Sequence, residues 1–194
     1  MHPKEEITFV IIKPDGVRRG LSGEIIRRIE QTGLKIVAIE MFQPSHDQID
    51  NHYPKADAWI KRLGEKTANT YKKFGFDLAT ELGTTDLLKI GKMVRGWLVE
   101  YMTSAPLIRM VVKGTHVISM MRKMAGTTMP ADAELGTIRG DFSVDSAAAA
   151  NRDKRAVHNI LHASETPEEA QHEIEHWFGG REVIHDYQRT DEMI

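Results

Sequence analysis

Apolar residues recur along this chain in two rhythms, one close to continuous and one spaced by three and four. Ile7-Thr8-Phe9-Val10-Ile11-Ile12 is apolar or β-branched at every position, the pattern of a central strand with covered faces. Lys13-Pro14-Asp15-Gly16 ends it, because proline and glycine forbid continuation. Ile25, Ile26 and Ile29 then share a helical face, with Ser22 as the expected cap and Gly33 as the stop. Leu34 to Ile39 reads as a second strand, so the chain opens β-α-β.

Ser45-His46-Asp47-Gln48 has capping-box form and starts a short helix through Tyr53. From Pro54 to Met102 the pattern is helical and polar, with breaks expected at Gly64, Gly75 and Gly83 and a new start at Thr84-Thr85-Asp86. Leu107 to Lys113 is the third strand and Thr115 to Ala125 the next helix. Thr127 to Val144 reads as an ordered loop, Asp145 to Arg155 as an alanine-rich helix, and Asn159 to His162 as a short strand-like run. Thr166-Pro167-Glu168-Glu169 starts a helix whose Ala170, Ile174, Trp177 and Phe178 line one face until Gly179. With no internal repeat and no long linker, residues 1–194 are expected to form one domain of order β-α-β-β-α-β with additions.

Composition narrows the function classes. A chain of 194 residues, 41% hydrophobic and 28% charged, has enough apolar material for one packed core and is neither disordered nor collagenous. The net charge of -2 supplies no global attraction to nucleic acid or anionic lipid, so any phosphate binding must come from a local cluster. The absence of cysteine removes thiol nucleophiles, disulfides, Fe–S clusters and cysteine zinc sites, and fits a reducing compartment. Acidic residues at Glu5 and Glu6, and apolar stretches far shorter than the ~20 residues of a membrane helix, lead to the expectation of a cytoplasmic protein with no membrane partner.

His172-Glu173-Ile174-Glu175-His176 matches the H-E-x-x-H arrangement of zinc peptidases. Nine histidines in this length produce a spacing-four pair about 0.4 times by chance, and the third-ligand candidates Glu182 and His185 leave only a few residues for the chain to return. The segment is therefore read as a solvated polar face opposite Ile174 and Trp177. Arg139-Gly140-Asp141 matches an adhesion tripeptide, which carries little weight without a secretion signal. Neither G-x-x-x-x-G-K-[ST] nor G-x-G-x-x-G occurs, so a P-loop and the usual dinucleotide fingerprint are absent. What remains is a set of phosphate-competent groups on loops and element ends: Lys13, Arg122, Thr128, Arg139, Asn159 and His162.

At these residues the chain resembles nucleoside diphosphate kinases. The resemblance rests on Lys13-Pro14-Asp15-Gly16-Val17, on Arg19-Gly20-Leu21-Ser22-Gly23-Glu24-Ile25-Ile26, on Thr137-Ile138-Arg139-Gly140-Asp141-Phe142 and on Asn159-Ile160-Leu161-His162-Ala163-Ser164. It implies a ferredoxin-like α+β sandwich on a four-stranded antiparallel sheet. It further implies that His162 takes the γ-phosphoryl group of a nucleoside triphosphate and passes it to a nucleoside diphosphate, maintaining nucleotide pools. By the same resemblance Glu173 orients the histidine, Lys13, Arg122, Thr128 and Arg139 hold phosphates, Asn159 holds the ribose, and Tyr53 and Ser164 stand beside the nucleophile. Mg²⁺ would arrive on the nucleotide phosphates, with no protein metal site, and the chain would form a homo-oligomer, hexameric or tetrameric.

Departures from the family pattern are visible too. Ala163 and Glu165 stand where the family usually has glycine and aspartate. Two segments, about 54–95 and 145–155, read as mainly helical insertions that both border the nucleotide. The first falls where the family carries its base-stacking aromatic, and a count back from Tyr101 lands on Val94, so no stacking residue is named. Two competing readings are a noncatalytic relative that binds nucleotide or a protein partner, and a zinc hydrolase.

Overall fold

The computed structural model describes residues 5–179 and 184–190. Its sheet contains β1 (Glu5–Ile12), β2 (Lys35–Phe42), β3 (Leu107–Thr115) and β4 (Leu161–Ala163), all antiparallel, in the order β2-β3-β1-β4. Alternate side chains of β1 leave on opposite faces, which explains its unbroken apolar run. Val10 and Ile12 enter one core with Ile25, Ile29, Met110 and Met121, while Phe9 and Ile11 enter the other with Ile49, Met102, Val111 and Trp177. The fold is the ferredoxin-like α+β sandwich, with helices on the sheet.

Ten α-helices frame the sheet among the described residues: α1 (Pro14–Arg18), α2 (Ser22–Gln31), α3 (His46–His52), α4 (Asp57–Lys73), α5 (Leu78–Leu82), α6 (Leu87–Thr103), α7 (Val117–Ala125), α8 (Ile138–Phe142), α9 (Ala147–Arg152) and α10 (Pro167–Phe178). Ser22 lies inside α2 and makes no capping bond; Leu21 holds the cap position. The stretch read as a loop from Thr127 contains α8, capped by the Thr137 hydroxyl, which accepts from Gly140 N. Five residues are too few for a helical period to register in sequence.

Gly64 does not break its helix. It lies buried in mid-α4 at the crossing with α6, where an added Cβ would stand 1.9 Å from the Leu87 carbonyl oxygen, and one on Gly91 would stand 1.9 Å from that of Ile60. Glycine is required there by the close approach of two backbones. Gly75 and Gly83 do end their segments, at φ 73° and 70°. Tyr71 on α4 donates to the Asn151 carbonyl of α9 at 3.0 Å, tying the two atypical segments together. No described helix is long and apolar enough to cross a membrane.

Candidate active site

β4 positions the central histidine. In the antiparallel register His162 faces Ile11, which sends the imidazole to the α3 and α10 side of the sheet. The turn before it is strained: β-branched Ile160 holds φ 67°, a conformation rare outside glycine and asparagine. Three contacts fix that turn. Ile160 N donates to Asp15 Oδ2 at 3.1 Å, its carbonyl accepts from Lys13 N at 2.7 Å, and Tyr101 Oη secures the same aspartate at 2.5 Å.

Beneath the histidine lies a buried carboxylate. Glu173 Oε1 stands 2.7 Å from His162 Nε2. The approach is off the axis of the ring N–H, so the buried Nε2 makes no aligned hydrogen bond, a common state for catalytic contacts before substrate arrives. Glu173 Oε2 accepts from Ser164 Oγ at 2.7 Å, and that hydroxyl accepts from Phe9 N at 3.3 Å. Glu173 thus sits on the buried face of α10, not on the solvated face expected from its sequence context.

His52 is a neighbour that sequence reasoning did not single out. Its Nδ1 accepts from the Trp177 indole N–H at 3.2 Å, so the lone pair is on that nitrogen and the ring is neutral. Burial first, then the nearby imidazoles of His162 and His176 and the Lys13 charge, push its pKa well below the ordinary histidine range. The 3.8 Å approach of His52 Nδ1 to Glu173 is therefore not an ion pair. Among the described residues, His52, His162 and Glu173 are the group whose ligand atoms converge enough to hold a metal ion. The motif pair His172 and His176 is not part of it. His176 Nε2 lies 3.1 Å from the Gln48 carbonyl, His185 N donates to Val37 O on β2, and Glu182 lies outside the described residues.

Cations converge from other elements. Lys13, at the end of β1, donates to Asn159 Oδ1 at 2.7 Å, and Asn159 Nδ2 donates to the Thr128 carbonyl at 3.0 Å. Burial, assisted by the Arg139 charge and opposed by Asp15, lowers the Lys13 ammonium to about 8. Arg139 of α8 is buried and donates to the carbonyls of Gly126, Asn159 and Leu161, so one guanidinium ties the end of α7 to the stretch that leads into His162. Burial and the Arg122 charge bring it down to about 10, still protonated at neutral pH. Arg122 of α7 holds Glu165 at 2.9 Å, an exposed pair worth little energy and easily opened by an anion.

Lys13, Tyr53, Arg122, Thr128, Arg139, Asn159, His162 and Glu173 all line one open cleft of about 1070 Å³; Ser164 lies behind it, buried beneath Glu173. Burial and the Glu173 charge raise the Tyr53 phenol above its ordinary range, so it stays protonated. Trp59, Arg62 and Lys66 of α4 line the same cleft and were not legible as site residues. No residue of 145–155 lines it; that segment packs on α4 instead. An imidazole backed by a carboxylate and ringed by cations is suited to accepting a phosphoryl group.

The nucleoside diphosphate kinase family model matches residues 6–62 and 89–183. The chain belongs to the nucleoside diphosphate kinase family. Residues 63–88, within the longer 54–95 stretch, are left unmatched. A nucleoside diphosphate kinase of Pyrobaculum aerophilum is 44% identical over 179 residues, covering 92% of this chain and 98% of the relative. One from Methanothermobacter thermautotrophicus is 39% identical over 190 residues, 97% of each chain. In structure, an NDP kinase from Pyrobaculum aerophilum superposes with a TM-score of 0.89 at 43% identity, covering 93% of this chain and 99% of that one. A transition-state mimic of the Borrelia burgdorferi nucleoside-diphosphate kinase with bound vanadate and ADP gives 0.76 at 32% identity, covering 97% and 95%. As a member of this family the chain is a nucleotide-binding phosphotransferase, and its fold is the family's.

Proposed function

We propose that the chain transfers the terminal phosphoryl group of a nucleoside triphosphate to a nucleoside diphosphate in two half-reactions through His162. In the first, the Nδ1 lone pair attacks the γ-phosphorus, the bond to the β,γ-bridging oxygen breaks, and the diphosphate leaves with that oxygen. In the second, a terminal oxygen of another nucleoside diphosphate attacks the same phosphorus and the N–P bond breaks. The observation that supports this reading is the 2.7 Å approach of Glu173 Oε1 to the buried His162 Nε2 in a histidine that lines the cleft: once that contact aligns, Nε2 keeps the proton and Nδ1 carries the lone pair. Glu173 holds the Nε2 proton while charge develops on the ring, and Ser164 holds Glu173.

Lys13, Arg122 and Arg139 offset charge on the equatorial oxygens, and Thr128 and Asn159 position the substrate. The donor set fits a Mg²⁺ carried on nucleotide phosphates. Glu165 is paired with Arg122, Glu169 accepts from Glu165 N at 2.6 Å, and Glu173 is held from two sides, so the cleft carboxylates form no ready oxygen cage. Mg²⁺ brought in on the nucleotide would offset the negative charge of its phosphates. A cytoplasmic homo-oligomer that maintains nucleotide pools belongs to the same reading; of these, the exposed Ile39 and Met41 on the edge strand β2 support the association between copies.

Initial rates test the reading. Double-reciprocal plots at several fixed triphosphate concentrations are expected to give parallel lines, the sign of a covalent intermediate. Intersecting lines would require both nucleotides to be bound together and would overturn it.

A further inference from the structure

The α4 wall of the cleft carries a feature that the phosphate chemistry leaves unexplained. Trp59, Arg62 and Lys66 recur at spacings of three and four, so they share one face of the helix, and all three line the cleft. Arg62 is exposed, and among the described residues it is the only arginine with no hydrogen bond or ion pair. The Lys66 ammonium is likewise without a partner. The cations placed for phosphate come from β1, α7 and α8, so Arg62 is not needed to complete that cluster.

Its neighbour on the same face is an aromatic ledge. Tyr53 stacks on Trp59 with ring centroids 6.2 Å apart, and both line the cleft. An indole offers any base a π-face, which gives affinity without selection. A guanidinium one helical turn further on is placed to meet the edge of a base lying against that ledge. Its planar fork matches two adjacent acceptors, and O6 with N7 of a 6-oxopurine are such a pair. Adenine presents an amino donor where guanine has O6, which sets N–H against N–H.

We propose that Arg62 reads the base edge and makes the enzyme prefer 6-oxopurine nucleotides, guanine and hypoxanthine, over adenine, with Lys66 as a supporting donor on the same face. The inference rests on the nucleotide-kinase reading above. A bidentate contact of this kind gives a preference of about tenfold or more.

The test is kcat/KM for GDP, IDP and ADP as acceptors from one fixed pyrimidine triphosphate donor, in the wild type, Arg62→Ala and Arg62→Lys. The wild type is expected to use GDP and IDP about tenfold better than ADP. Arg62→Ala is expected to lose that advantage while its ADP value stays within about twofold, which also shows that the variant is folded; Arg62→Lys falls between, because a lysine has no fork. Equal losses on all three acceptors would mean that Arg62 serves the shared phosphates and would overturn the proposal. So would an unchanged profile, or a preference for GDP without IDP, which would place the readout at the 2-amino group. No transfer by the wild type to any diphosphate would instead fail the kinase reading itself.

Discussion

Lys13 is buried beside Arg139, and this sets how the cleft responds to pH. Its ammonium is lowered from 10.5 to about 8, so in the free protein it begins to lose its proton just above neutrality. A bound polyanion favours the charged form. Nucleotide affinity is therefore expected to be greatest below pH 8 and to weaken as pH rises through that value. Linkage gives the opposite sign for stability of the free protein: between about 8 and 10.5 the unfolded chain binds more protons, so the Lys13 contribution to stability rises with pH there. Calorimetric titration of ADP from pH 6.5 to 9.5 checks the first statement, with Lys13→Met expected to bind more weakly and without this pH dependence. A wild-type Kd flat across pH 8 would contradict it.

At the same scale, Lys13, Arg139, Asn159 and His162, which the fold brings to one cleft, were legible because they sit in short motifs where residue type alone is informative. What was not legible depends on partners far away in sequence. His52 is held neutral by Trp177, 125 positions later. The burial of Glu173 beside Ser164 and His162 was not legible from its local context, which reads as a polar face; the residue was singled out only through the resemblance. Arg62 is distinguished by lacking a partner, which no local pattern can express.

Among elements, the helical hairpin of α4 and α6 is the part built differently from its sequence reading. Glycine in a helix costs roughly 1 kcal/mol of propensity, so locally Gly64 reads as a break. The crossing reverses that reading, because Gly64 and Gly91 let two backbones meet where any side chain would collide with a carbonyl. Gly64→Ala is expected to destabilise the protein by about 1–3 kcal/mol despite the better helix propensity of alanine, since the added methyl group forces α4 and α6 apart. Thermal unfolding should show Tm lowered by roughly 2–10 °C. An unchanged or raised Tm would contradict the close crossing. Strand β1 was readable for the converse reason: its burial on both faces is written into every residue. The three residues of β4 were harder, since their pairing with Val10, Ile11 and Ile12 is long-range.

At the scale of the whole molecule, a chain of net charge -2 concentrates cations in one cleft by drawing them from the end of β1, from α4, α7 and α8, around a histidine on β4. The sheet brings these distant segments together and α10 supplies the carboxylate behind the ring. The central claim is that this convergence makes His162 alone among nine histidines a carrier of phosphate. Incubation with γ-labelled ATP and Mg²⁺, followed by denaturation without acid and mapping of the label, addresses it directly. The account predicts about one acid-labile phosphate per chain on His162, discharged by an added nucleoside diphosphate and absent from His162→Ala. Label persisting in His162→Ala, or wild-type turnover with no labelled protein, would contradict it.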